Sequence, residues 1–152
     1  MNNLSSAQAV TELVRGLTLR VRTGILLLEP KSLGTESSIA AKLDLEFVDY
    51  RVFKLQRLGA EQRYLNSSAH NLLEDIETIV ATTYLHSAIL LTNLDLPLAY
   101  LSISDRSLVW NALQYSFSKR LNGLVIAMPN SANKLLPSDQ EFWKQQERIA
   151  LL

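Results

Sequence analysis

The chain has 152 residues, 47 % of them hydrophobic and 20 % charged, with a mean hydropathy of +0.06. That size and balance predict one domain over residues 1–152 around a single core, and exclude a chain held open by self-repulsion. Fifteen basic residues offset fifteen acidic ones, so no overall field draws the molecule to nucleic acid or anionic lipid, and the lack of cysteine excludes disulfides, thiolate nucleophiles and cysteine zinc sites.

From Ser5 to Arg22 the residues Val10, Leu13, Val14, Leu17 and Val21 fall at helical spacing behind Ser5 or Ser6 as N-cap. Gly24 breaks that pattern, and Ile25–Leu28 reads as a strand buried on both faces, ended by Glu29 and Pro30. A polar loop over 31–35 leads to a helix from Glu36 to Leu43. A short strand follows at Leu45–Val48, then a helix capped by Asp49 that runs to about Leu58 before Gly59. Ser67 or Ser68 caps the next helix, with Leu72, Leu73, Ile76, Ile79, Val80 and Thr83 on one face and Glu74, Asp75 and Glu77 largely outside it. Ala88–Leu91 is a second buried strand. A long helix is expected from a cap at Ser104 or Ser102 to Leu121, with Leu108, Val109, Ala112, Leu113, Phe117 and Leu121 inward, Trp110 and Tyr115 near the polar edge and Gly123 as its left-handed stop. Leu124–Met128 repeats the buried-strand pattern, and Ser138 with Glu141 forms a capping box for a C-terminal helix carrying Phe142, Trp143, Ile149 and Leu152.

Apolar strands alternating with amphipathic helices predict an α/β fold: a parallel sheet with flanking helices in three layers. In open sheets of this kind ligands sit beyond the carboxyl ends of the strands, which singles out the loops after Leu28, Leu91 and Met128. The longest apolar run is far short of the roughly 20 residues a membrane span needs, and the first ten residues lack a charged, greasy leader, so a cytoplasmic protein without membrane contact is expected. His70 and His86 occur without a metal-binding spacing or a Gly-x-Ser-x-Gly elbow, and both read as surface or helix-end residues.

In a P-loop protein the first strand runs into a glycine-rich turn whose amides wrap phosphate, followed by Lys and Ser/Thr at the helix start. The segment LLLEPKSLGTESS has the frame of that motif. With Gly34 as the second glycine, Glu29 falls on the first glycine, Thr35 on the lysine and Glu36 on the hydroxyl residue. Thr35 carries no charge to neutralise phosphate, and Glu36 sets a carboxylate at the helix end that phosphate would use. Each change costs on the order of 1–3 kcal/mol of binding, the range for charge-assisted hydrogen bonds. In AILLTNLD the strand ends on Thr92 where a magnesium-holding Asp is expected, and Asp95 lies three residues beyond it. Asp95 reads as a loop carboxylate. Neither ATP nor Mg²⁺ is expected as a cofactor, no metal site is expected, and the reading leans away from an enzyme.

The order of LLLEPKSLGTES, the Thr92-Asn93-Leu94-Asp95 strand end, the leucine-rich helix after it and a last strand preceded by Lys119, Arg120 and Asn122 resembles the small P-loop, AAA+-type BrxF family of bacterial BREX phage-exclusion systems. The resemblance covers most of the chain and implies a P-loop NTPase-like fold and an accessory ATPase-like subunit of a multi-protein defence assembly. The departures at Glu29, Thr35, Glu36 and Thr92 reduce the implied role to a pseudo-ATPase scaffold that holds protein subunits, including copies of itself. A nucleotide-binding regulatory subunit is the first alternative. Arg51, Lys54 and Arg57, with Arg63 nearby, form the notable basic grouping, and their helical spacing supports a third reading, a DNA-binding accessory module. Lys31 and Lys134, in loops after strands, are candidates for holding a small anion.

Overall fold

The computed structural model describes residues 3–16, 18–57, 68–117 and 121–152. Helix α1 spans Asn3–Arg15 and strand β1 Thr23–Leu28; α2 (Glu36–Lys42), β2 (Glu46–Asp49) and α3 (Tyr50–Arg57) follow. Next come α4 (Ala69–Ala81), β3 (Ala88–Thr92), α5 (Asp95–Tyr100), α6 (Ile103–Asn111), β4 (Gly123–Pro129), α7 (Gln140–Gln145) and β5 (Ile149–Leu151). The five strands form one parallel sheet in the order β2-β3-β4-β1-β5, flanked by helices, so the chain has an α/β fold.

Side-chain alternation divides the core into two layers. Leu26, Leu28, Leu90 and Val125 face α1 and α2, where they meet Val10, Val14, Ile39 and Ala40. Ile25, Leu27, Ile89 and Ile126 face the opposite layer and pack against Ile76 and Ile79 of α4, Leu98 of α5, Val109 of α6 and Trp143 of α7. The three inner strands are buried on both sides, which is why their sequences are continuous apolar runs rather than alternating ones.

Several expected boundaries move. Helix α1 ends at Arg15 rather than Arg22, because the Arg22 guanidinium takes the Val14 and Arg15 carbonyls at 2.9 and 3.1 Å and caps the helix there. Val21 is therefore core outside the helix. Gly123 is the first residue of β4, not a left-handed stop. A Cβ there would lie 2.6 Å from the Val14 carbonyl oxygen, so the glycine is needed for close approach of the strand to α1.

The long helix expected from Ser104 or Ser102 to Leu121 is shorter: α6 ends at Asn111 and passes into a π-turn over Ala112–Ser116; Ser102 is the cap, accepting from the Asp105 amide at 3.1 Å. Leu108 and Leu121 are exposed while Trp110 is buried, the reverse of the expectation, because Trp110 donates to the Leu135 carbonyl at 2.8 Å and stacks edge-on against Trp143. Helix α4 ends at Ala81, short of Thr83, and its Asp75 is buried rather than outside the apolar face. Ser68 caps α4 through the Asn71 amide, and Asp49 caps α3 through the Arg51 amide, both as expected. Leu17, Ser67, Leu58, Gly59, Arg63, Lys119 and Arg120 lie outside the described residues.

The C-terminal helix stops at Gln145, and Asp139 rather than Ser138 stands at its N-cap, without a side-chain hydrogen bond. Glu147 then turns the chain with φ +57°, and Ile149–Leu151 pairs with β1 as an edge strand instead of continuing a helix. Among the described residues no helix is long and apolar enough to cross a membrane.

Candidate functional site

The chain leaves β1 toward β2 at the far edge and leaves β4 toward β5 in the opposite direction, so neighbouring strands send their connections apart. Right-handed crossovers then put α2 on one face and α7 on the other, with the carboxyl ends of β1 and β4 between them. Sequence reasoning placed its candidates at this edge, and the loop after β1 does lie there.

That loop closes on itself. Glu29 donates its amide to the Leu152 carbonyl at 2.8 Å, and Pro30–Ser32 form a turn of 3₁₀ helix. The Ser32, Leu33 and Thr35 amides return to the Glu29, Pro30 and Ser32 carbonyls, and the Thr35 hydroxyl also donates to Ser32, at 2.7 Å. Gly34 adopts φ +88°, the left-handed conformation that a glycine accepts without strain. Its amide donates to Glu36 Oε1 at 3.1 Å. The N–H that a phosphate-binding turn aims at its anion is thus held by a carboxylate of the chain itself. Lys31, the cation of this loop, lies 3.6 Å from Glu29 and is mostly exposed.

The ends of β2 and β3 add a second polar group. Asp49 accepts from Arg51 Nη2 at 3.1 Å and from the Arg51 amide at 2.9 Å, and the Asn93 side chain also bonds it. Burial pushes the Asp49 carboxyl up, but the hydrogen bonds from Arg51 and Asn93 outweigh it and hold the group below the usual carboxylate range. Asn93 takes φ +62° directly after β3, a conformation asparagine tolerates better than most residues. Asp95 is not in a loop: it opens α5, where a carboxylate suits the helix N-terminus. Arg51 feels Asp49 most strongly and then Asp95 and Glu36, and its basicity is raised by them. Thr92 is 3 % exposed and points to the α2 layer by alternation, and its hydroxyl has no hydrogen-bond partner among the described residues.

The ends of β1, β2 and β3 carry Glu29, Glu36, Asp49 and Asp95 against Lys31 and Arg51, an excess of two negative charges that Lys134, in the loop after β4, reduces to one. Among the described residues no group of three or more His, Asp or Glu is placed to hold a metal ion.

The basic stripe on α3 is drawn into three separate contacts. Arg51 belongs to the strand-end cluster. Lys54 Nζ reaches Asp75 Oδ2 at 2.9 Å, on which the Tyr50 hydroxyl also donates at 2.7 Å; burial and that bond push the Tyr50 hydroxyl well above its usual range. Arg57 lies over the Phe53 ring, 5.3 Å from its centre. His70 pairs with Glu74 at the exposed start of α4, as its helix-end reading predicts.

Sequence reasoning missed a third polar cluster, around Arg148 at the opposite end of the sheet. Arg148 is 2 % exposed and donates to the Thr23 carbonyl and hydroxyl, the Leu113 and Gln114 carbonyls and Gln146, while stacking over Trp143. Burial lowers its guanidinium to about 10. The signal for it, an arginine beside an apolar triplet, is invisible until that triplet is recognised as a strand. No protein-family model, curated protein or solved structure matches this chain.

Proposed function

We propose that the chain is a P-loop-like scaffold, a pseudo-ATPase that holds partner proteins and does not turn over nucleoside triphosphate. The observation that carries this reading is the Gly34 amide donating to Glu36, which fills the anion position of the turn with a resident carboxylate. Support also comes from the frame: a buried β1, a turn and a helix stand at the point where strand connections diverge, the place where P-loop proteins seat phosphate. The net negative strand ends and Thr92 in place of a metal-holding acid remove the chemistry while the frame remains. The resemblance of its motifs to the BrxF family supports reading such a scaffold as part of a phage-exclusion assembly, with other subunits or further copies of the chain as partners.

Calorimetric titration with Mg²⁺ and ATP is the test. No binding heat is expected from the native chain, and micromolar binding overturns the reading. An E29G/T35K/E36S variant restores the glycine, lysine and hydroxyl and is expected to gain nucleotide affinity over the native chain. The DNA-binding reading has less support, because Lys54 is spent on Asp75 and Arg51 on Asp49. Salt-dependent duplex binding that weakens when Arg51, Lys54 and Arg57 are replaced would favour it instead.

A further inference from the structure

The outer strands of the sheet, β2 and β5, each have one side without a neighbouring strand among the described residues. They are finished differently. β2 carries Glu46 and Asp49 at its two ends, and charge on an outer strand keeps other chains from pairing with it. β5, Ile149-Ala150-Leu151, has neither charge nor proline.

The backbone of β5 fixes how another strand can add to it. The Ile25 amide donates to the Arg148 carbonyl, the Leu152 amide to the Leu27 carbonyl and the Glu29 amide to the Leu152 carbonyl, each at 2.8 Å. Backbone groups alternate sides along a strand, so Ala150 also turns toward β1, while Ile149 and Leu151 turn both N–H and C=O away from the sheet. In an antiparallel pairing centred on Ala150, each Ile149 stands opposite the Leu151 of a second copy. Every outward donor and acceptor of the strand then finds its complement on the identical strand.

We infer that two copies of the chain join edge to edge through β5, about a two-fold axis at Ala150, so that their sheets become continuous. The side chains suit that register. Ile149 packs against the core on the α7 face and Leu151, on the same face, is 39 % exposed, so the seam sets two Ile–Leu pairs side by side and covers apolar surface that the single chain leaves to water. On the α1 face Ala150 meets Ala150, small enough for close approach of the strands. Charge does not oppose the contact. Arg15 reaches the Leu43 and Asp44 carbonyls and so marks the α2 side of α1; helical spacing sets Ser6, Ala9 and Leu13 on the other side, toward β5, where Leu13 shares a cavity wall with Glu147 and Arg148. A self-matching contact of this kind closes at two copies and does not propagate. The inference deepens the scaffold reading by naming one partner and rests on it for its purpose alone: oligomeric state tests the seam and nucleotide titration tests the scaffold, so the two fail separately.

The test is sedimentation velocity of the full chain between about 1 and 200 µM, with amide hydrogen exchange at both ends of that range. A monomer–dimer equilibrium with a Kd of about 10–100 µM is expected. Exchange at Ile149 and Leu151 is expected to slow severalfold in the concentrated sample, while Ala150, bonded to β1, exchanges slowly in both. Leu151→Pro removes an outward N–H and no bond to β1, an orientation in which an outer strand tolerates proline; it is expected to unfold like the native chain and to sediment as a monomer throughout. Leu151→Lys keeps the backbone, puts a charge into each Ile–Leu pair and is expected to raise the Kd at least about tenfold. A native chain that stays monomeric at every concentration, leaving the edge to an extended segment of another protein, overturns the inference. So does a dimer that persists in either folded variant with undiminished affinity, or one in which the Ile149 and Leu151 amides gain no protection. The exchange comparison uses only the native chain, so it decides the matter even if a variant fails to fold.

Discussion

Arg148 donates through Nε to the carbonyl of Thr23 at 2.8 Å, tying the turn before the last strand to the first residue of β1. The same guanidinium holds the Leu113 and Gln114 carbonyls that the π-turn releases from the regular helical ladder. One buried cation thus joins β1, β5 and the end of α6 with neutral acceptors only. Replacing it with methionine keeps much of the volume but strands several buried carbonyls. Arg148→Met is expected to cost about 3 kcal/mol or more, read as a lowered midpoint in urea unfolding at unchanged slope.

The Lys54–Asp75 pair carries a similar liability. Both side chains are largely buried, and Tyr50 supplies the second donor to the carboxylate. Lys54→Met leaves a carboxylate with one neutral partner and is expected to destabilise by about 2–4 kcal/mol, at the lower side of values for breaking buried pairs because the site is not fully dry. Adding Asp75→Leu is expected to recover most of the loss. A double-mutant cycle in which the two single losses simply add would contradict this coupling.

Asp49 gives the strand ends a pH signature. Its folded pKa is depressed, so the unfolded chain binds the proton more readily, and the stabilisation it provides is fully present above the unfolded value of about 3.9 and lost as pH falls through the lower folded value. Asp49→Asn is expected to flatten the acid limb of the stability curve between those two points. Denaturant midpoints measured from neutral pH downward check this; an unchanged slope in the variant would show that other carboxylates set the limb.

Gly123→Ala tests the close approach of α1 to the sheet. The new Cβ would sit 2.6 Å from the Val14 carbonyl oxygen, a backbone atom that cannot swing aside. A loss of about 3 kcal/mol is expected, toward the upper end for overpacking. Gly34→Ala meets no neighbouring atom and is expected to cost less, about 1 kcal/mol, from its left-handed φ alone. Thermal midpoints of the two variants, compared directly, distinguish crowding from backbone strain.

The buried strands were legible in the sequence because a strand covered on both faces must be apolar throughout, and Ile25–Leu28, Ala88–Leu91 and Leu124–Met128 are. Caps at Asp49, Ser68 and Ser102 were legible for a similar reason: each is a local bond between a side chain and an amide two or three residues away. Glu36 at the start of α2 was also readable as a carboxylate competing for an anion site. The sequence did not disclose that its partner is the Gly34 amide, which depends on the fold of the turn.

What lay beyond local reading was decided by contacts distant in the chain. Ile149–Leu151 has the composition of a helix end and becomes a strand only because β1 offers an open edge with which to pair. Asp75 stands by spacing at the border of the apolar face of α4, where a carboxylate reads as outside it, and is buried where Lys54, 21 residues earlier, comes to meet it. Spacing alone likewise groups Arg51, Lys54 and Arg57 as one stripe, while the tertiary structure gives each a different partner. Backbone propensity and apolar periodicity act over a few residues and fix the elements. The pairing of charges and the order of strands are settled only when distant segments exclude water together.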